Sequence, residues 1–296
     1  MNPLISCIVP VLNESNHITR FISSMLSQKY RPIELIMIDG GSIDETISKI
    51  NEIIDSNKDY SFLIKLFHEL GTYKSPANAK NIGLNHANGE FILIIDADSV
   101  FIREDIITTA LKEINDANSI LIKFCPVIDT ELEQFISSIS KHSGVILYKS
   151  DFIQNTRFLP SLGFGEDRVF QYKLFGDLEY SGEISTSQIG RHYPHTMKEY
   201  AHQNEWYGKT ILNYIKIAAY TNVNDMFAQI IFVIYNLAIL IFPPVCLFRI
   251  YRNNKYKCKT NMRYGILSKI WYSYFASVFF SKGLAKYFIQ TFKNIR

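Results

Sequence analysis

The sequence predicts an α/β fold with a mostly parallel central sheet flanked by helices, and two observations support this prediction. Short apolar runs of strand length recur through the first half of the 296-residue chain. Segments between the first four runs have the i, i+3, i+4 apolar spacing of amphipathic helices. Alternating strands and helices form parallel sheets that are covered on both faces. The length allows one sizeable α/β domain with an appendage, or two modest domains.

The predicted elements follow one another in a regular order. The apolar runs that predict strands are residues 4–9, 33–38, 62–67, 91–95 and 120–124. Helical spacing follows the first strand over residues 18–26 and the second over residues 47–54. A further helical pattern begins near Gly165 and continues through Lys173. Residues 4 to about 95 therefore predict the parallel part of the sheet.

Composition excludes several classes of protein. The net charge of +3 gives no basic footprint for nucleic acid. The four cysteines form no C-x-x-C pair, which argues against a zinc site and a disulfide framework. We therefore expect reduced thiols and a cytosolic catalytic face.

Polar loops follow three of the predicted core strands. They are residues 10–14 after the first strand, 39–46 after the second, and 96–98 after the strand at residue 91. Ligands of parallel sheets bind at the carboxyl ends of the strands, so these loops predict a nucleotide pocket. The chain has neither a G-x-G-x-x-G nor a G-x-x-x-x-G-K-[ST] motif, which disfavours a dinucleotide fold and a P-loop.

Asp96 and Asp98 are the most informative pair in the chain, because they follow the apolar run 91–95 directly. Carboxylates at a strand end suit Mg²⁺ or Mn²⁺, which take one or two protein carboxylates together with substrate phosphates. A D-x-D pair alone is a weak signal, since a solvated turn can carry two acidic residues. The neighbouring loops make the metal interpretation stronger.

Several motifs together resemble the family 2 glycosyltransferases, which have the nucleotide-sugar-binding GT-A fold. Residues 8–14 are similar to the opening strand and loop of that family, and residues 38–46 to its D-[DG]-G-S-x-D-x-T segment. Residues 78–90 resemble its A-[RK]-N-x-G…A-x-G-[ED] helix, and residues 96–98 its metal and nucleotide motif. The resemblance covers roughly residues 4 to 210.

The resemblance implies a role for each matching residue. The positions implied to contact the nucleotide sugar are Pro10, Asn13, Glu14, Asp39, Gly41, Ser42, Lys80, Asp96, Glu166 and Arg191. Asp98 is implied to hold the divalent cation, Mg²⁺ or Mn²⁺, and Asp96 the ribose or a metal-bound water. The chain departs from the family's Q-x-x-R-W motif at Trp206 and Tyr207, which leaves Arg191, His192 or Lys209 to meet the diphosphate. For His192 the alternatives are a metal or phosphate role and a structural role. Asp167, in a segment that looks like the [GT]-E-D motif, is implied to be the general base. An alternative for Glu166 and Asp167 is a simple stabilising role in the first turn of a helix.

A general base at Asp167 implies an inverting transfer from a GDP- or UDP-sugar to a hydroxyl. A phosphate ester is already mostly ionised near neutral pH, with a second pKa of about 6, so it needs no such base. We therefore expect a saccharide acceptor, plausibly lipid-linked. The alternatives are transfer to a polyprenyl phosphate and a catalytically silent membrane-bound scaffold that binds nucleotide sugars.

The last third of the chain predicts a membrane association. We expect a catalytic domain over residues 1–196, an amphipathic interfacial region over 197–225 and a membrane-associated region over 226–296. Residues 226–248 contain no Asp, Glu, Lys, Arg or His and predict a transmembrane helix. A second interfacial or transmembrane helix is expected at about 265–292. The basic residues between them leave the topology open, because positive loops favour the cytosolic side. We expect a membrane location with the catalytic domain in the cytosol and lipid as a partner.

Overall fold

The computed structural model describes residues 2–69, 74–117, 119–126, 130, 132–133, 145–163, 165–176, 183–190, 196–221, 223–245 and 266–293. The chain divides into two compact units. The first comprises residues 1–127 and 142–192, and the second comprises 128–141 and 193–296.

The first unit contains a single eight-stranded sheet with helices packed against it. Its strands are β1 (Ile5–Val11), β2 (Ile33–Asp39), β3 (Phe62–His68), β4 (Phe91–Ile94), β5 (Val100–Phe101), β6 (Leu121–Pro126), β7 (Ile146–Lys149) and β8 (Glu183–Gly190). Its helices are α1 (Ile18–Leu26), α2 (Thr46–Ser56), α3 (Pro76–His86), α4 (Ile106–Asp116), α5 (Ser150–Ile153) and α6 (Glu166–Phe175). The five predicted strands and the predicted helices are all present, with ends that differ by one or two residues.

The sheet has the order β3-β2-β1-β4-β7-β6-β8-β5. Strands β3, β2, β1 and β4 run parallel to one another. β7 lies antiparallel between β4 and β6, and β5 lies antiparallel to β8. The sheet is therefore mixed, whereas the sequence predicted a mostly parallel one. The regular alternation of strand and helix ends after β4, and the strands beyond it pair out of sequence order.

Alternation along β1 explains why the sheet needs helices on both faces. Ile5, Cys7 and Val9 belong to one buried cluster, which also contains residues of α1 and α4. Ile8 belongs to the cluster on the other face, with residues of α3 and α6. Successive side chains of a strand point to opposite faces, so a strand with apolar side chains on both faces must be covered twice. Burial of these side chains is the main stabilising contribution to the unit.

A buried carboxylate, Glu34, ties the amino-terminal ends of three strands together. Its Oε1 accepts hydrogen bonds from Ser6 Oγ at 2.5 Å and from the Asn88 backbone N–H at 2.7 Å. Its Oε2 pairs with Lys65 Nζ at 2.6 Å. Burial opposes ionisation of Glu34, but these donors outweigh burial and hold its pKa below the ordinary value. Ser6 Oγ also accepts from the Gly89 N–H, which fixes the start of β4.

The second unit is built from three long helices: α7 (Met197–Thr221), α8 (Val223–Ile241) and α9 (Ile266–Lys293). A short 3₁₀ turn, Pro243–Val245, follows α8. An apolar cluster holds the unit together and includes Leu132, Tyr200, Ile239 and Ala276. The predicted helix near residues 265–292 is thus present as α9.

Helices α7 and α9 make a close backbone contact at two glycines. A Cβ at Gly208 would overlap the carbonyl oxygen of Phe280, and a Cβ at Gly283 would overlap that of Glu205. The Glu205 carboxylate also pairs with Lys282 Nζ at 2.9 Å and with Lys286 Nζ. Glycine at both positions lets the two backbones approach more closely than any side chain would allow.

The transmembrane helix predicted for residues 226–248 is not found, and this is a correction. Across the described part of the chain, no helix combines the length and the apolar character needed to cross a bilayer. α8 has 19 residues and ends at Ile241. Pro243 and Pro244 follow shortly after its end. Proline disfavours the helical conformation of the residue before it, so the helix does not continue through the whole apolar run.

Candidate active site

The loops after β1 and β2 are locked together by reciprocal hydrogen bonds. The Asn13 backbone N–H donates to Ser42 Oγ at 2.9 Å, and the Ile43 N–H donates to Asn13 Oδ1 at 2.9 Å. Asn13 has a φ of 56°, in the left-handed region that asparagine tolerates better than most residues. The predicted residues Asn13 and Ser42 therefore lie together at the carboxyl edge of the sheet.

Asp39, the last residue of β2, organises the second of these loops. Its Oδ1 accepts from the Ser42 N–H at 2.9 Å, and its Oδ2 accepts from the Gly41 N–H at 3.0 Å. His68 Nδ1 lies 3.3 Å from Oδ2. Burial raises the cost of ionising Asp39, but the bonds from Ser42, Gly41 and His68 outweigh it and lower its pKa. An ionised Asp39 thus shapes the loop at the carboxyl end of β2.

Gly41 has a φ of +99°, which favours glycine, and it lies beside an exposed lysine that the sequence analysis missed. A Cβ at Gly41 would be 2.7 Å from Lys74 Nζ. Pro10 is partly buried in β1 opposite Ile38, and Glu14 is partly buried in the following loop. Lys74 therefore adds a cation to the cluster of predicted nucleotide-binding residues.

Helix α3 carries the motif of residues 78–83, and several of its residues have structural roles. Asn81 Nδ2 donates to the Phe158 carbonyl at 2.9 Å, and the Phe158 N–H donates to Asn81 Oδ1 at 2.8 Å. A Cβ at Gly83 would overlap the Ile8 side chain, so glycine permits close packing of α3 on β1. These contacts hold α3 against the segment around Phe158, and Lys80 directly precedes Asn81 in α3.

Lys80 does not face an open pocket. Its side chain is 2% exposed, and its Nζ donates to Glu166 Oε1 at 3.0 Å and to Asp167 Oδ1 at 2.7 Å. The amine also lies 5.3 Å from the centre of the Phe158 ring. The predicted contact of Lys80 with nucleotide or diphosphate is untested, but its observed partners are the two carboxylates that begin α6.

The two carboxylates, Glu166 and Asp167, lie in different environments. The Glu166 side chain is buried, whereas 34% of the Asp167 side chain is exposed. Burial raises the pKa of Glu166, and the charge of Asp167 adds to this effect. Burial of Lys80 lowers its pKa, but Asp167, Glu166 and Asp96 outweigh that effect and raise it. Lys80 is therefore a charged amine shared by two carboxylates, of which Asp167 is the accessible one.

Gly165 is the N-cap residue of α6 and has a left-handed conformation, with a φ of 76°. This conformation turns the chain so that Glu166 and Asp167 form the first helical turn, where the macrodipole favours negative charge. Tyr148 and Phe170 pack beneath the cluster, edge to face, with ring centres 6.0 Å apart. Asp167 is thus a solvent-accessible carboxylate on a rigid support.

The predicted metal pair follows the end of β4. Asp96 and Asp98 are both partly buried, and the Asp96 carbonyl accepts from the Ser99 N–H at 3.1 Å. Within the described ranges, no group of three His, Cys, Asp or Glu side chains is arranged to hold a metal ion. Two carboxylates nevertheless fit Mg²⁺ or Mn²⁺, which complete their coordination with water and substrate phosphates.

Arg191 and His192, which were predicted to meet the diphosphate and the metal, lie outside the described residues. The residues that the structure brings to one edge are therefore those of the loops after β1, β2 and β4, together with α3 and the start of α6.

Comparison with known proteins identifies the fold and the family that this geometry resembles. The model of the family described as glycosyl transferase family 2 matches residues 6–171. That range includes the carboxyl ends of β1, β2 and β4 and the pair Glu166 and Asp167.

Two curated relatives have assigned activities. The chain is 35% identical over 134 residues to UDP-Glc:alpha-D-GlcNAc-diphosphoundecaprenol beta-1,3-glucosyltransferase WfgD of Escherichia coli, covering 41% of this chain and 50% of that protein. It is 28% identical over 184 residues to GalNAc(5)-diNAcBac-PP-undecaprenol beta-1,3-glucosyltransferase of Campylobacter jejuni, covering 62% and 56%. The chain spans only 39%, 28% and 38% of the lengths of three other curated relatives.

Among solved structures, the mannosyltransferase PcManGT of Pyrobaculum calidifontis, in complex with GDP-Man and Mn²⁺, matches with a TM-score of 0.63 and 15% identity. The match covers 97% of this chain and 88% of that one. It shows a shared fold, and it confirms the predicted GT-A-like α/β architecture.

Proposed function

Since the chain belongs to glycosyl transferase family 2 and is a glycosyltransferase, we propose that it transfers a sugar from a nucleotide sugar to a saccharide hydroxyl with inversion at the anomeric carbon. The observation that carries this proposal is the cluster at the start of α6. There Lys80 holds Asp167 Oδ1 at 2.7 Å while a third of the Asp167 side chain stays exposed.

Asp167 acts as the general base in this reaction. The acceptor oxygen forms a bond to the anomeric carbon as its proton passes to the Asp167 carboxylate. The bond between that carbon and the diphosphate oxygen breaks, and its electron pair leaves with the nucleoside diphosphate. Attack from the face opposite the leaving group inverts the configuration in a single step. Lys80 fixes the carboxylate, so that its orientation need not be established during the reaction.

The donor occupies the carboxyl edge of β1, β2 and β4. Asn13, Asp39 and Ser42 contact the nucleoside, with Pro10, Glu14 and Gly41 beside them. Asp96 and Asp98 would hold Mg²⁺ or Mn²⁺, which would stabilise negative charge on the leaving diphosphate. We assign Lys74 to the diphosphate, because its amine is exposed and lies next to Gly41.

The acceptor is a lipid-linked saccharide. The glucosyltransferases of Escherichia coli and Campylobacter jejuni are named for a diphosphoundecaprenol-linked and a PP-undecaprenol-linked sugar acceptor. Such acceptors are anchored in a bilayer, so the enzyme works at a membrane surface, with its catalytic unit in the cytosol. An accessible base favours a hydroxyl nucleophile over a polyprenyl phosphate, which is already mostly ionised at neutral pH.

The test is turnover of a panel of UDP- and GDP-sugars by the purified chain, with Mn²⁺ or Mg²⁺ and with or without a bacterial lipid extract. Nucleoside diphosphate release and product configuration are measured. We expect one preferred donor, dependence on the cation, and stimulation by the extract. EDTA should abolish release, and added Mn²⁺ should restore it.

Three variants separate the roles. Asp98→Ala should abolish cation-dependent donor binding. Asp167→Asn should retain donor binding and lose transfer by roughly 10²- to 10⁴-fold, the usual contribution of a general base. Asp151→Asn, at an exposed carboxylate of α5, is the control and should behave as wild type. Transfer that survives Asp167→Asn would indicate a polyprenyl-phosphate acceptor, and binding without any release would indicate a scaffold.

A further inference from the structure

The α8 helix has the reverse of the polarity found in water-soluble proteins. Its most exposed residues on one face are apolar: Phe227 (54%), Ile231 (60%), Ile234 (60%), Leu237 (40%) and Ile241 (88%). Their spacing of three and four residues places them on one side of the helix. We refer to these five residues as the outer face of α8.

The opposite side of α8 is buried, and it includes two polar side chains beside the apolar Ile239. Gln229 is 8% exposed and Asn236 is 5% exposed. Asn236 Oδ1 accepts from Ser277 Oγ of α9 at 3.1 Å, and Ser277 is fully buried. A helix in water buries its apolar side against the protein and exposes its polar side. Asn236 and Ser277 are hydrogen-bonded to each other inside the helical unit, while the five apolar side chains of the outer face are exposed.

The neighbouring helix α9 continues this pattern. Leu267 is 82% exposed and Trp271 is 57% exposed, whereas Ser273 and Ser277 are buried. Exposed Trp at the edge of an apolar helix face is typical of membrane–water interfaces. Both helices therefore present apolar side chains outward from a core that contains hydrogen-bonded polar groups.

We propose that the outer face of α8 is a membrane-docking surface that lies in the interface of a bilayer containing anionic phospholipid. Its five side chains have no hydrogen-bonding groups, whereas interfaces between proteins contain about one hydrogen bond per 100–200 Å². Hydrocarbon is the partner that requires none. A helix that exposes a continuous apolar face can lie along the bilayer surface, with that face among the acyl chains.

The charge of the sequence next to α8 indicates that the lipids are anionic. The sequence between α8 and α9 contains Arg249, Arg252, Lys255, Lys257, Lys259 and Arg263 and no Asp or Glu. Basic segments beside a membrane-bound helix are attracted to anionic headgroups, by about 1 kcal/mol per residue close to the surface. This inference rests on the proposed function: docking of the outer face of α8 on a membrane brings the enzyme to the surface in which a lipid-linked acceptor is anchored.

The test is flotation of the full chain with vesicles of phosphatidylcholine alone or of phosphatidylcholine with phosphatidylglycerol, without donor or acceptor. We expect binding to the anionic vesicles that weakens in high salt. The double variant Ile231→Ser and Ile234→Ser should reduce the bound fraction at least tenfold at matched lipid concentration. Tyr60→Ser removes a 92% exposed aromatic residue from the first unit and should bind as wild type.

Two outcomes would overturn the proposal. One is binding to anionic vesicles that the double variant leaves unchanged. The other is no vesicle binding, together with a dimer in sedimentation equilibrium that the double variant dissociates, which would assign the face to a second copy of the chain. Circular dichroism and the thermal midpoint verify folding, and Leu237→Gln provides a second, milder variant. Vesicle binding does not require transfer, so failure of the proposed reaction would be recognised separately.

Discussion

Replacing Lys80 by Met tests whether this residue positions the base or binds the donor. Lys80 is 2% exposed and donates to both Glu166 and Asp167. Its removal leaves two carboxylates side by side, one of them buried, without their shared cation. Met retains much of the aliphatic volume, so the change removes charge and hydrogen bonds rather than packing.

The structure allows the cost to be estimated. Removing one partner of a buried ion pair costs about 3–5 kcal/mol. The pair with Asp167 contributes less than that, because a third of its side chain is in solvent, which screens the interaction. We therefore expect a loss of about 3 kcal/mol, mostly from Glu166. For a unit of this size, that corresponds to a fall of roughly 6–12 °C in the thermal midpoint.

Kinetics separate the two roles. If Lys80 positions Asp167, Lys80→Met should lower kcat at least tenfold and leave the dissociation constant of the donor within about threefold, because a misplaced catalytic group costs up to about 10²-fold. Lys80→Arg should restore part of kcat, since it retains the charge. Lys112→Met, at an exposed lysine of α4, is the matched control for a lost surface charge.

A double variant tests the stability argument independently. Adding Glu166→Gln to Lys80→Met removes the carboxylate that was left unpaired, so it should recover more than half of the lost stability while kcat stays low. An unchanged thermal midpoint and kcat in Lys80→Met would refute the reasoning. Weaker donor binding with normal kcat would instead support the diphosphate role that the family resemblance implies.

Three further predictions concern other parts of the chain. Lys74→Met should weaken donor binding about 3- to 10-fold in calorimetric titration without changing the thermal midpoint, and unchanged affinity would remove Lys74 from the site. Burial opposes ionisation of Glu34, but hydrogen bonds from donors led by Lys65 outweigh burial and lower its pKa. The ionised carboxylate therefore stabilises the fold above its ordinary pKa of 4.5, and this stabilisation is lost as the pH falls through the lower pKa of the folded protein. Glu34→Gln should therefore cost about 2 kcal/mol at neutral pH and reduce the acid sensitivity of urea unfolding, and equal acid sensitivity of both proteins would contradict this. Gly208→Ala should destabilise the helical unit, because the Cβ would overlap the Phe280 carbonyl; a higher thermal midpoint would show that helix propensity, worth about 1 kcal/mol in favour of Ala, decides instead.

The parallel half of the sheet was predictable because its signal is local. β4 is a continuous apolar run, β1 and β2 are mostly apolar, and the helices between them have regular apolar spacing. β5 has two residues and β7 has four, lengths at which alternation carries little information. Their antiparallel pairing depends on contacts between residues far apart in sequence, which no short pattern encodes.

The sequence predicted several residues that the fold brings close together, but it did not predict the hydrogen bonds between them. Asp167 was assigned as the base from its resemblance to a motif, and Lys80 was assigned to the donor. The hydrogen bond between them joins residues 87 positions apart, so only the fold could reveal it. Lys74 was missed because an isolated lysine has no pattern, and its relevance depends entirely on its distance from Gly41.

The α3 motif illustrates what a family resemblance can and cannot indicate. Asn81 exchanges two hydrogen bonds with the Phe158 backbone, and Gly83 permits contact between α3 and β1. Two of the most recognisable residues of the motif thus serve the placement of α3, and through it the placement of Lys80 beside Asp167. The motif therefore indicates that the base is supported in a defined geometry. The contacts of Asn81 and Gly83 are structural, so they carry no information about the sugar or the acceptor. The donor is identified by the donor panel, and the acceptor by the dependence of turnover on the lipid extract.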